Sequence, residues 1–188
     1  ALIGGDNLFA GYFLQTNGLP FNFYECLNAL DLSQRGLDII ALQKQLAEKR
    51  QHFRLKVVEA RTEDAHAATS AAPSDQDILQ VVHTVAEVLA RVSFDVDSED
   101  NKKAKELNLE QIMSVFAWLK LGFASKEDAA VIWNQVATGE GKSRITAVAA
   151  GAAAVLSGGK TIEMAFNSPY LALRGEKEFS FLFNKLFS

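Results

Sequence analysis

Six residues, Thr138, Gly139, Glu140, Gly141, Lys142 and Ser143, lie between two runs of opposite character. Before them, residues 129–136 read Ala, Ala, Val, Ile, Trp, Asn, Gln, Val, a largely apolar run of strand length with β-branched residues at its centre. After them, residues 143–156 are dense in alanine, the strongest helix former. Gly158 and Gly159 then close that run, as glycine does past a helix C-terminus. Residues 160–166 read as a second strand, and Ser168 with Pro169 opens a further helix toward Phe187. Strand, loop, helix, strand, helix is the right-handed crossover unit of a parallel sheet. The predicted fold class is therefore α/β for this last third of the chain.

The chemistry of the loop follows from its residue types. Binding a phosphate needs glycines that let backbone N–H groups approach, a Lys for the terminal phosphates and a hydroxyl for magnesium. These belong at a helix N-terminus, where unpaired donors and the helix dipole favour an anion. Gly139 and Gly141 supply the backbone, Lys142 the charge and Ser143 the hydroxyl. Thr138 and Glu140 complete the loop, and no catalytic role falls to Glu140. Val136 stands where the general G-x-x-x-x-G-K-[ST] form has its first Gly; motors of the helicase type often carry x-x-T-G-x-G-K-[ST] instead. The plain alternative is a glycine turn with a solvated Lys142, which leaves the coincidence of both glycines, Lys and Ser at a helix start unexplained.

Upstream, the pattern is helical. Leu37, Ile40, Leu42, Leu46, Phe53, Leu55 and Val58 recur among Lys, Glu, Gln and Arg, which predicts one long amphipathic helix over 33–67, capped by Ser33 or Asp31. Small, polar residues with Pro73 break the chain over 67–74. Ser74, Asp75, Gln76 and Asp77 then form an N-terminal cap signature, with acids where the helix dipole favours them. Ile78, Leu79, Val81, Val82, Val85, Val88, Leu89 and Val92 cover more than one face, so this second helix is expected to be well buried. Residues 109–119 make a third, largely buried helix. The predicted organisation is a helical region over 1–73, followed over 74–188 by the start of a nucleotide-binding domain.

Composition excludes several classes. With 48% hydrophobic and 22% charged residues, the 188-residue chain has enough apolar content for a sizeable core. A net charge of −4 gives no basic face for nucleic acid. The basic clusters at 44–54 and 102–105 alternate with acids or amides and read as solvated helix faces. Cys26 stands alone, so no intrachain disulfide forms, and it reads as a small buried residue. His52, His66 and His83 lack metal-ligand spacing and read as structural or solvent-facing. The acidic stretch 95–103 lacks the Gly and Glu that an EF-hand requires and reads as a solvated loop. No apolar run is long enough to span a membrane. The start at Ala1, without Met or a basic leader, reads as that of an excised fragment.

Thr138 to Ser143, then Leu156, Ser157, Gly158, Gly159 and Lys160, then Asn167 through Arg174, resemble the first motor half of SecA, the preprotein translocase ATPase. The loop T-G-E-G-K-[TS] and the Tyr170, Leu171, Ala172, Arg174 element carry this likeness, and it covers about residues 75–188. Ser168 with Pro169 is similar to SecA-like segments of large multidomain proteins. Leu173 and Gly175 depart from the translocase, which has Arg and Asp there. The resemblance implies a RecA-like, parallel-sheet motor of the DEAD type, truncated here. It implies ATP and Mg2+ as cofactors, Ser143 as the metal-side hydroxyl, and Gln111 as reader of the adenine edge. It implies a polypeptide substrate or partner protein, the rest of the motor domain as a further partner, no nucleic acid, a membrane only indirectly, and a cytoplasmic location.

The residues that act on magnesium and water, and the second motor half, lie beyond Ser188 in that family. Phosphoryl transfer needs several such groups at once, so ATP hydrolysis is expected of the intact protein and little of this chain. The competing expectation is a helical protein-interaction module of a multidomain protein, with a motor remnant that does not hydrolyse ATP.

Overall fold

Four stretches of the chain, residues 38–62, 72–96, 106–124 and 141–187, are described by a computed structural model. They form five helices: α1 (Ile39–Thr62), α2 (Asp75–Val96), α3 (Leu109–Ala124), α4 (Lys142–Leu156) and α5 (Pro169–Phe187). All belong to one unit, Asp31–Ser188.

Each helix starts where the sequence offers a reason. Asp38 Oδ1 accepts the Ala41 N–H at 2.7 Å, so α1 is capped at Asp38; the predicted caps Ser33 and Asp31 lie outside the described residues. Ser74 caps α2 as its cap signature predicts: its Oγ accepts the Asp77 N–H at 3.2 Å and donates to Asp77 Oδ2 at 2.7 Å. Asn108 Oδ1 accepts the Gln111 N–H at 2.8 Å, while Gln111 Oε1 accepts the Asn108 N–H at 2.9 Å, a reciprocal capping box at α3. Ser168 Oγ accepts the Leu171 N–H at 3.3 Å, with Pro169 as the first residue of α5. At α4 the first residue follows Gly141 directly, and no side chain caps it.

The α2–α4 pair is the centre of the body, since each of the two packs against every other helix. α2 is buried nearly all round, from Ile78 through Val92, as its apolar pattern predicts. Its polar residues His83 and Thr84 are buried too: Thr84 donates to the Gln80 carbonyl at 2.8 Å, and His83 lies 3.8 Å from the Glu87 carboxylate. α4 owes its place to small side chains. Ala147, Ala149, Gly151, Ala152 and Ala154 are buried, and an added Cβ at Gly151 would come within 2.8 Å of Leu186 and 3.2 Å of Val85. Only small residues let α2 and α5 approach α4 this closely. α1 contributes the narrower stripe Leu42, Leu46 and Phe53, and α5 the stripe Phe179, Leu182 and Leu186. Each such buried side chain stabilises the fold by about 1.5–3 kcal/mol.

Polar ties join the helices at their edges. Lys49 of α1 meets Asp77 at 2.7 Å, and Lys120 of α3 pairs with Asp75, so both neighbours grip the N-terminus of α2. Gln43 Nε2 donates to the Lys185 carbonyl at 2.6 Å, joining α1 to the end of α5. The predicted break at 73/74 falls between α1 and α2, which pack on one another.

The α/β fold class is overturned. Among the described residues there is no strand, and no parallel-sheet RecA-like unit is present. Residues 160–166, predicted as the second strand, form an exposed stretch outside any helix or ladder. Ile162, Met164 and Phe166 keep the two-residue alternation of a strand and stand 39%, 37% and 39% exposed. A strand exists through the backbone bonds of its neighbour, and alternation without that neighbour makes no strand. The first predicted strand, 129–136, lies outside the described residues, as do Cys26, His66 and most of the acidic stretch 95–103. Among the described residues no helix is long and apolar enough to cross a membrane.

Candidate functional site

The predicted phosphate loop meets the described structure at its last three residues. Gly141, Lys142 and Ser143 are placed, while Thr138, Gly139 and Glu140 lie outside the described residues. Gly141 adopts φ 70° and ψ 35°, the left-handed conformation that side-chain-bearing residues rarely take. Its carbonyl accepts the N–H groups of Arg144 at 2.9 Å and Ile145 at 3.1 Å, which starts α4 at Lys142 as the loop pattern requires.

The first turn of α4 has an unusual charge pattern. It contains Lys142 and Arg144 and no acid, although the partial positive charge of a helix N-terminus disfavours cations. By contrast, α2 carries Asp75 and Asp77 in its first turn. Lys142 and Ser143 are exposed, and the side chain of Thr146 donates back to the Lys142 carbonyl at 3.0 Å. Cations and backbone amides thus share one surface, an arrangement that suits a bound anion. Ser143 presents its hydroxyl beside them, a single oxygen of the kind that holds magnesium together with nucleotide phosphates. Among the described residues no group of three His, Cys, Asp or Glu side chains is placed to hold a metal without such help.

Gln111 comes to the same place from 30 residues upstream in sequence. A Cβ added at Gly141 would sit 2.7 Å from Gln111 Nε2. The Oε1 of Gln111 is held by the Asn108 N–H, which fixes the amide so that its NH2 group faces Gly141. The side chain therefore has a structural duty, closing the capping box of α3, and also touches the glycine of the loop. Its Oε1 retains a second lone pair, so capping and base recognition do not exclude one another.

Two residues of this arrangement escaped the sequence reading. Asn108 was legible, since Asn followed three residues later by Gln is a capping-box signature. Arg144 carried no such signal; its importance appears only once α4 is seen to begin at Lys142. The Tyr170 to Arg174 element forms the first turns of α5, with Tyr170 72% and Leu173 66% exposed and Arg174 3.8 Å from Glu178. Comparison with protein-family models, with curated proteins and with solved structures gives no match for this chain.

Proposed function

We propose that residues 138–143, with the N-terminus of α4, bind the phosphates of ATP, and that the intact protein is a SecA-like ATPase coupling ATP turnover to movement or remodelling of polypeptide. The observation that carries this reading is the start of α4: a left-handed Gly141, two cations and no acid in the first turn, and no side-chain cap. Lys142 meets the terminal phosphates, Ser143 holds Mg2+ through its hydroxyl, and Gln111, whose amide lies beside Gly141, reads the adenine edge. Thr138, Gly139 and Glu140 supply the rest of the loop. The chain works in the cytoplasm on a polypeptide substrate or partner protein.

The test is calorimetric titration of ATP with magnesium into the chain and into Lys142→Ala. Saturable binding that weakens at least about tenfold in the variant, roughly 1.4 kcal/mol, is the expected result. Equal binding by both proteins, or by neither, removes the proposal.

A second reading has its own support. Among the described residues five helices share a core and no sheet is present, as in a helical protein-interaction module with a non-hydrolysing motor remnant. Under that reading the chain engages a protein partner whether or not ATP is present.

A further inference from the structure

At the other end of α4 a cavity of about 460 Å3 opens between α1, α4, α5 and the stretch that follows α4. Most of its wall is apolar: Ala150 and Ala154 of α4, Ile162 and Met164 of the stretch after α4, and Phe183 and Phe187 of α5. Gly159, Arg50 and Lys160 complete the lining, and no acid takes part in it. The guanidinium of Arg50 lies 5.6 Å from the centre of the Phe187 ring. The aliphatic stem of Arg50 runs 3.6 Å from where a Cβ would stand on Gly159, the residue before Lys160. Both cations therefore belong to the same rim. Among the described residues neither has a carboxylate within ion-pair distance.

We infer that this cavity binds a small amphipathic anion, a carboxylate on a short apolar tail. The tail takes the place of water against Ile162, Met164 and the two phenylalanines, which are otherwise left half exposed in the cases of Ile162, Met164 and Phe187. The carboxylate meets Arg50 and Lys160, with the planar fork of Arg50 suited to a bidentate contact. The nearby C-terminus of α4 does not oppose this. Its last carbonyls accept from Ser157, Gly158 and Gly159, and two full positive charges outweigh the roughly half negative charge of a helix end. A cavity of this size, mostly apolar with a few convergent polar groups, is the usual form of a small-molecule site. The site is separate from the phosphate loop, at the opposite end of the same helix.

The experiment is calorimetric titration of octanoate and of octanol, its uncharged counterpart, into the whole chain. Octanoate is expected to bind at one site and octanol about tenfold or more weaker, the difference being the two charge contacts. The double variant Arg50→Gln with Lys160→Gln loses octanoate affinity by a similar factor while its helical circular dichroism stays that of the parent. Lys44→Gln, an exposed charge change on α1, leaves binding as it was. Raising the salt concentration weakens octanoate and not octanol, since the rim is open to solvent. Absence of saturable octanoate binding, equal affinity for octanol, or unchanged binding in the double variant overturns the inference.

Discussion

At its N-terminus α4 begins after Gly141, φ 70°, and at its C-terminus it is followed by Gly158, φ 73°. At either glycine an added Cβ would lie 2.7 Å from another atom. The atoms differ in kind. At Gly158 they are the backbone N and Cα of Arg54 in α1, which are fixed by the helix they belong to. At Gly141 the atom is the terminal amide nitrogen of Gln111, the movable end of a side chain. The hydrogen bonds differ as well. Gly158 N–H reaches the Val155 carbonyl at 3.1 Å and Gly159 N–H the Ala154 carbonyl at 2.8 Å, so the C-terminal end closes on itself in a Schellman motif. The N-terminal end has no side-chain cap. One glycine seals a helix and docks it on α1; the other begins a helix that no side chain caps.

That contrast is open to attack by substitution. The largest effect is expected at Gly158→Ala, where left-handed strain and a backbone clash together cost about 3 kcal/mol of stability in urea unfolding. A loss below about 1 kcal/mol, less than the strain alone, would show that the approach of α1 to α4 is not needed. Gly141→Ala is expected to lose only about 1–2 kcal/mol, because the Gln111 amide swings aside, yet to weaken ATP binding further than Gly158→Ala does. A double-mutant cycle with Gln111→Ala reads that displacement directly: the two substitutions are expected to be non-additive, the second costing less in the presence of the first.

Caps at the other helices sharpen the contrast further. Ser74→Ala removes the acceptor for the Asp77 N–H at the start of α2 and is expected to cost about 1 kcal/mol. Ser143→Ala, in the first turn of α4, is expected to leave stability unchanged and to lower the magnesium dependence of ATP binding. Equal stability losses from both would place Ser143 among the caps.

The smallest effect concerns pH. Burial alone would raise the pKa of Asp77, but hydrogen bonds from Lys49 and Ser74 and the Lys49 charge outweigh it and hold the carboxyl below its ordinary value. A carboxylate whose folded pKa lies below its unfolded one stabilises the fold fully above about pH 4 and loses that contribution as pH falls through the folded value. Asp77→Asn is therefore expected to flatten the acid limb of the stability curve, measured by urea midpoints between pH 5 and 2. An acid limb identical to that of the parent would break the assignment.

Much of the helical body was legible residue by residue. Ser74 with Asp77, Ser168 with Pro169, and Gly158 with Gly159 are local signals, and each ends or begins a helix because the bonds involved reach only three to five residues along the chain. The apolar density of 78–92 announced burial on more than one face, and α2 is buried in that way. The strand over 160–166 failed for the opposite reason. Ile162, Met164 and Phe166 alternate as strand residues do, but pairing is supplied by another segment, and here Phe166 packs near Gly175 of α5 instead. For the site, Lys142 and Ser143 were named by their motif. What surrounds them was not: the capping box that fixes the Gln111 amide against Gly141 joins residues of two separate helices.

The sequence by itself determined the starts of α2 and α5, the small side chains of 147–154 and the glycines at both ends of α4, because these depend on local hydrogen bonding and side-chain size. The tertiary structure decided that α4 lies at the centre of a helical body, that no sheet forms among the described residues, and that Gln111 meets Gly141. Those outcomes depend on which surfaces find each other across long separations in the chain, and no local pattern encodes a partner.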